Sequence, residues 1–321
     1  MKVYVKTPAR LHLGLIDMNG DLGRMFGGLG VGINCPNVIL EAEPAAEFFV
    51  SGQDSELTAA MAKRFFDAYQ TRTNVHLHVK QAIPSHIGLG SGTQLSLAVA
   101  IALAKVLGLK KSTQELALAM GRCRRTGVGT AIFDQGGLVV DSGKRTQNGA
   151  CIAENFPPLL FRQPFPFEWR FVVAIPEVKK GLASEKETAA FSKVPPMPTA
   201  EVGRMCRLIM LRLLPALAEK DIENFGDALT QIQVISGNAF AEAQGGTYGS
   251  DASARCIRFM QELGVYGVGQ SSWGPTLYGV VKAQEAKPIC SKVHAYLKRT
   301  VGGQVFTAKA NNRGATIKVT K

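Results

Sequence analysis

The 321-residue chain has no apolar run long enough to cross a membrane. A spanning helix needs about 18 or more consecutive apolar residues. Leu97 to Ala104 is followed at once by Lys105, and the stretch around Leu208 to Leu217 contains Arg212 and Pro215. The N-terminal MKVYVKTPARLHLG lacks both the apolar core and the small-residue cleavage pattern of a signal peptide, so no membrane association is expected. The cysteines (Cys35, Cys123, Cys151, Cys206, Cys256 and Cys290) contain no CxxC pair and are widely scattered. That excludes a zinc ribbon and a disulfide framework, and reduced thiols in a cytoplasm are expected. There is no internal repeat and no low-complexity tract. With 46% hydrophobic and 19% charged residues, what is left is a globular composition.

The net charge of +12 raises the odds of an anionic partner. Only Arg122, Arg124 and Arg125 cluster tightly, and no basic-aromatic interleaving accompanies them. A solvated basic surface and small anionic substrates therefore fit better than a nucleic-acid groove, and no nucleic-acid partner is expected.

Val3 and Val5 alternate with polar residues as in an opening strand. Arg10-Leu11-His12-Leu13 continues the alternation, and Asn19-Gly20-Asp21 marks a hairpin turn. In the return strand Gly28, Gly30 and Gly32 would share one bare face, open to another backbone or to a ligand. Leu57, Met61, Phe65 and Tyr69 form the apolar stripe of a helix over 56–69. His76 and His78 share a strand face but have no third metal ligand in view, so they read as solvent-facing. Ser112 and Glu115 fit a capping box. Residues 127–137 read as a glycine-rich stretch before a short strand, Leu138 to Val140. Helices are expected over 199–218, 221–243, 251–263 and 286–299, and a strand, turn and strand over 265–281. The chain is thus α+β, with mostly antiparallel strands and a soft boundary between residues 155 and 170.

The strongest local feature is Gly88-Leu89-Gly90-Ser91-Gly92-Thr93, followed by Gln94 and an Ala/Leu-rich helix from about Leu95. Glycines let successive amides turn inward, the helix adds its positive end, and Ser91 and Thr93 add hydroxyls. Such a loop suits a phosphate or diphosphate. It lacks the lysine of a P-loop and the spacing of a dinucleotide fingerprint. A second glycine-rich turn runs from Gly267 to Pro275 and carries Ser271, Ser272 and Trp273, one of two tryptophans. Trp273 is read either as a stacking platform or as a core plug.

These two loops and the glycine-dense hairpin, in this order, resemble the GHMP kinase superfamily. Ser91-Gly92-Thr93-Gln94 stands where the kinases carry a Ser-Ser-Ala-Ala run, and the third motif reads GQSSWGPTLYG. With Arg10 to Ile33, Ile87 to Gln94, Phe133 to Asp141 and Gly269 to Gly279, the chain is similar to a non-kinase branch, the β-ribofuranosylaminobenzene 5'-phosphate synthases. The resemblance implies a GHMP kinase-like two-domain fold. Residues 1–165 would form a ribosomal protein S5 domain 2-like part and residues 166–321 a ferredoxin-like part. It also implies a pentosyltransferase of tetrahydromethanopterin biosynthesis. In that reaction phosphoribosyl pyrophosphate condenses with 4-aminobenzoate or a 4-hydroxybenzoate, releasing CO2 and pyrophosphate. The competing implication is an ATP-dependent small-molecule kinase.

On this reading Gly88, Gly90, Ser91, Gly92, Thr93 and Gln94 bind the departing diphosphate. Arg10 and Arg24 hold the 5'-phosphate or the carboxylate, and Ser271, Ser272 and Trp273 meet the aryl acid. His12 and Asp17 move a proton or orient a substrate. Asp134 stands near the kinases' catalytic aspartate or else caps a turn. Mg2+ is the cofactor the resemblance allows, no organic cofactor is expected, the metal ligands are unknown, and a cytoplasmic homodimer is expected.

Overall fold

The computed structural model describes residues 1–147, 150–152, 155–179, 181, 184–192 and 194–320. Its first half contains β1 (Lys2–Lys6), β2 (Ala9–Asp17), β3 (Arg24–Ile33), β4 (Ile39–Pro44), β5 (Phe49–Gly52), α1 (Ser55–Tyr69) and β6 (Val75–Gln81). Then follow α2 (Ser91–Val106), α3 (Thr113–Ala119), α4 (Val128–Asp134), β7 (Leu138–Asp141), β8 (Lys144–Gln147), β9 (Ala150–Cys151) and β10 (Leu159–Gln163). The second half contains β11 (Trp169–Pro176), α5 (Ser184–Phe191), α6 (Thr199–Leu208), a π-helical turn (Ile209–Leu213), α7 (Leu214–Glu219), α8 (Ile222–Ala239), α9 (Ala241–Gln244) and α10 (Asp251–Glu262). It closes with β12 (Gly267–Gln270), β13 (Leu277–Lys282), α11 (Ala286–Arg299), β14 (Gly303–Ala308) and β15 (Thr316–Thr320).

The first sheet has the order β15-β1-β4-β6-β5 and the second β10-β7-β3-β8-β9, with β2 paired to β3. The third has the order β12-β13-β11-β14. Numbered from β11, that is the antiparallel 4-1-3-2 order of a ferredoxin-like fold, with alternate residues of β11 facing opposite cores. Phe171 and Val173 join the main core, while Val172 and Ala174 pack against Ile257 of α10 and Val293 and Leu297 of α11. The chain passes to the third sheet after β10 and returns at its end, where β15 pairs with β1 and Ile33 bridges Ala310. The chain thus crosses between these sheets twice, once between β10 and β11 and once between β14 and β15.

Helix α2 lies at the centre. Every residue from Gln94 to Ala104 is buried, so the helix is apolar nearly all round, as a core helix must be. It starts at Ser91 rather than near Leu95, because the loop's hydroxyl residues are its first turn. The Ser112–Glu115 capping box forms as expected.

Residues 127–137 depart from the glycine-rich stretch read in the sequence: most of them form α4. The reason lies across from it. A Cβ on Gly28 or on Gly30 would come within 2.5 Å of Val128, and one on Gly32 within 3.1 Å of Ile132. The bare face of β3 is thus a seat for α4 and not for a ligand. Asp141 sits at this junction, buried, and accepts hydrogen bonds from the amides of Gly28 (3.2 Å), Gly127 (2.8 Å) and Gly143 (2.8 Å).

His76 Nε2 and His78 Nδ1 each lie 2.7 Å from Ser51 Oγ, so a hydroxyl joins the paired imidazoles.

Candidate active site

Strand β2 sets the first side chains of the site. Leu11 and Leu13 point into the core, which leaves Arg10 and His12 on the opposite face. The pairing with β3 slips between His12 and Gly14, a bulge of the kind that re-aims a side chain. Gly88 (φ +87°) and Gly90 (φ +76°) then carry the chain into α2 in backbone conformations that other residues rarely adopt. The amides of Ser91 and Gly92 precede the first helical hydrogen bonds, which run from Thr93 and Gln94 to the Gly90 carbonyl.

The two glycine loops touch. Ser271 Oγ donates to the Gly88 carbonyl at 2.6 Å and accepts from the His12 amide at 2.9 Å. Arg10 Nη1 donates to the same carbonyl at 3.1 Å. A Cβ on Gly88 would come within 2.2 Å of the Ser271 carbonyl oxygen, so no side chain fits there. β2, the first loop and the second loop are therefore fixed relative to one another.

Between them opens a cleft of about 1130 Å³. Arg10, Arg64, Arg122, Arg124 and Arg125 line it, and Glu187 is the one carboxylate among its described lining residues. Glu187 accepts from Arg125 at 3.0 Å. Burial, with Arg122 adding a smaller push, lowers the Arg10 pKa to about 10, so it stays charged at neutral pH. Burial lowers that of Arg122 as well. Burial first, and Arg10 second, push the His12 imidazole down to about 3, so the ring is neutral in the cleft.

Part of the lining is aromatic. The Trp273 ring stands edge-on to Phe240 at 5.1 Å and to Phe191 at 5.5 Å, and the Arg125 guanidinium lies 3.6 Å over the Phe191 ring. Trp273 is half-buried and faces the cleft, so it is part of a wall rather than a plug. The lining therefore holds groups that suit a phosphate-rich anion and groups that suit a flat ring.

Of the residues singled out in the sequence, Arg10, His12, Gly88, Gly90, Ser91, Gly92, Thr93, Ser272 and Trp273 line this cleft together. Ser271 is buried behind them with its hydroxyl engaged as described. Gln94 is buried as well, and its Nε2 ties α2 to α4 through the Gly129 carbonyl at 2.9 Å. Three others stand outside the lining. Asp17 caps the hairpin turn, accepting from the amides of Asn19 and Gly20. Arg24 is bound to Ser142 and the Gly143 carbonyl. Asp134 ends α4 and accepts from Thr113 Oγ1 at 2.8 Å. Sequence reasoning missed Arg64, Arg122, Arg125, Phe191 and Phe240 as cleft residues. The one available signal was the cluster Arg122, Arg124 and Arg125, which read as solvated surface.

Residues 56–140 match the family model for the GHMP kinases N terminal domain, and residues 213–299 match that for the GHMP kinases C terminal. A beta-ribofuranosylphenol 5'-phosphate synthase from Methanothermobacter thermautotrophicus is 32% identical over 98% of this chain and 98% of its own. The enzyme of the same name from Archaeoglobus fulgidus is 34% identical over 98% of this chain and 99% of its own. This chain belongs to that synthase family, within the GHMP kinase superfamily. The fold agrees. A homoserine kinase from Cytophaga hutchinsonii superposes with a TM-score of 0.68 at 15% identity, covering 99% of this chain and 97% of the other.

For a member of this superfamily the donor set at the cleft is poor in metal ligands. Glu187 is engaged with Arg125, and among the described residues no group of three or more His, Cys, Asp or Glu could hold a metal ion. The described residues thus form no all-protein cage for Mg2+, and an ion there would be held mainly by waters and the substrate's phosphates, with one or two carboxylates at most from the protein. Among the described residues no helix is long and apolar enough to cross a membrane.

Proposed function

We propose that this chain joins the ribosyl 5-phosphate of phosphoribosyl pyrophosphate to a 4-substituted benzoate, releasing pyrophosphate and CO2, as a step of tetrahydromethanopterin biosynthesis. The observation that carries the reading is that a cationic glycine loop and a cluster of aromatic rings line one cleft. The name of the archaeal relatives specifies a phenol product, which corresponds to 4-hydroxybenzoate as the acceptor. 4-Aminobenzoate is the alternative acceptor.

The electron balance explains what the site must supply. The ribose C1–O bond breaks and its electron pair leaves on pyrophosphate. The ring carbon bearing the carboxylate supplies the pair for the new C–C bond. The C–CO2 bond then breaks, and its pair restores the aromatic ring as CO2 departs. No net proton is gained or lost, so the protein's task is charge stabilisation and alignment. The Ser91 and Gly92 amides and the nearby arginines meet the charge that develops on pyrophosphate. Trp273 and Phe240 align the acceptor ring. A neutral His12 offers a hydrogen-bonding ring without adding positive charge beside the ribosyl cation. A cytoplasmic homodimer is part of the same proposal.

The test is incubation with phosphoribosyl pyrophosphate and carboxyl-labelled 4-hydroxybenzoate or 4-aminobenzoate. Labelled CO2 released one-for-one with pyrophosphate is expected from one of the two. No release from either acid, with ADP formed from ATP on a panel of sugars and acids, overturns the reading in favour of a kinase.

A further inference from the structure

Two guanidinium groups from distant parts of the chain flank the first turn of α2. Arg10 comes from β2 and Arg122 from the segment after α3. A Cβ on Gly90 would lie 3.2 Å from Arg10 Cβ and 3.4 Å from its Nε. A Cβ on Gly92 would lie 3.1 Å from Arg122 Nη2. Both glycines therefore leave room for an arginine against the loop.

A guanidinium carries five N–H donors and needs acceptors for them when it is withdrawn from water. The protein supplies few. Arg10 Nη1 donates to the Gly88 carbonyl at 3.1 Å, and Arg122 Nη2 donates to Thr93 Oγ1 at 3.3 Å. The Nε of each is shut off from solvent and has no hydrogen-bond partner among the described residues. The two cations also repel one another, and Glu187, the carboxylate that offsets them, is hydrogen-bonded to Arg125. Two under-satisfied cations beside the positive end of a buried helix form a site for a multiply charged oxyanion. A single carboxylate would answer only one of them.

We propose that Arg10 and Arg122 jointly hold the diphosphate of the ribosyl donor, with the Ser91 and Gly92 amides and Thr93 between them. This rests on the function proposed above and deepens it. It makes Arg122 a substrate-binding residue, and it assigns Arg10 to the diphosphate rather than to the 5'-phosphate or the aryl carboxylate. Arg24 takes no part, because Ser142 and Gly143 occupy its guanidinium.

Calorimetric titration of the whole chain with inorganic pyrophosphate and, separately, with inorganic phosphate tests the assignment. The unaltered protein should bind pyrophosphate at least about tenfold more tightly than phosphate, because only the larger ion spans both cations. Arg122→Gln should erase most of that preference. Gly92→Ala, which keeps the charge but crowds Nη2, should reduce it in the same direction, and it decides the matter if Arg122→Gln fails to fold. The proposal is overturned if the unaltered protein shows no preference, or if a folded Arg122→Gln or, failing that, Gly92→Ala keeps the full preference. The outcome is separable from the reaction. Variants that lose the preference in a protein that releases no labelled CO2 would sink the synthase reading and leave the clamp. Labelled CO2 from a protein whose variants keep the preference would do the reverse.

Discussion

Glycine does opposite work in the two regions that dominate this chain. In β3 the missing side chains of Gly28 and Gly30 make room for Val128 of α4, so the strand and helix close into a dry joint. At the start of α2, Gly90 and Gly92 make room for Arg10 and Arg122, so the space beside the backbone fills with positive charge. The first region is all packing and the second faces a cleft. Glycine density is equally visible in both segments, yet only the neighbouring side chains tell a seat from a site.

The same substitution should therefore fail in two ways. Gly30→Ala puts a methyl 2.5 Å from Val128 Cγ1 and 2.9 Å from the Leu11 carbonyl oxygen, and the backbone oxygen cannot swing aside. It should cost roughly 3 kcal/mol of stability, at the upper end for overpacking a core, read as a lowered urea midpoint. Gly90→Ala keeps most of the stability, losing about 1 kcal/mol to its left-handed φ of +76°. It should lower kcat/KM about a hundredfold by displacing Arg10, an effect in the range for removing one transition-state charge donor. If Gly30→Ala melts normally, or if Gly90→Ala turns over normally, the contrast between the regions fails.

A smaller effect is expected at the aromatic end. Trp273→Leu should raise KM for the aryl acid about five- to tenfold, in line with the loss of one ring contact. KM for phosphoribosyl pyrophosphate should stay within about twofold of the original, because the diphosphate is assigned to Arg10, Arg122 and the first turn of α2 rather than to Trp273. Steady-state kinetics with each substrate varied in turn separates the two. Equal changes in both constants would mean that the wall and the loop are not distinct subsites.

Much of the fold was legible where one element carries its own signal. The stripe from Leu57 to Tyr69 marks α1, residues 286–299 form α11, and the Ser112–Glu115 box starts α3. Helix α4 was not legible, because its seven residues carry only Val128, Ile132 and Phe133 as large apolar side chains, and its reason for forming lies in the bare face of β3. The glycine loop and Trp273 announced themselves, while Phe191 and Phe240 did not. Each of those phenylalanines is an ordinary apolar position until the fold sets it beside Trp273. Arg122 was hidden for a related reason: an arginine half-buried against a glycine reads in sequence like one on the surface.

The two regions also differ in how they answer to acid. In the cleft, folding holds the His12 pKa at about 3, below its unfolded value of about 6.5. The unfolded chain binds the extra proton between those values, so His12's contribution to stability is present above about pH 6.5 and is lost as pH falls toward 3. At the packed joint, burial outweighs the amide donors and raises the Asp141 pKa to about 7, above its unfolded value of about 3.9. There the folded chain binds the extra proton, so the contribution is present below about pH 4 and is lost as pH rises through 7. The slopes oppose one another over about pH 4 to 6.5, and each hides the other in the unaltered protein. Asp141→Asn should gain stability relative to the parent as pH rises through that window, and His12→Asn should lose it. Urea midpoints at pH 4.5 and 6.5, taken as differences from the parent so that other titrating groups cancel, read the two signs directly. A slope of zero in either variant would mean that the group it removes keeps its solution pKa, and with it that its region is wetter than the packing around it implies.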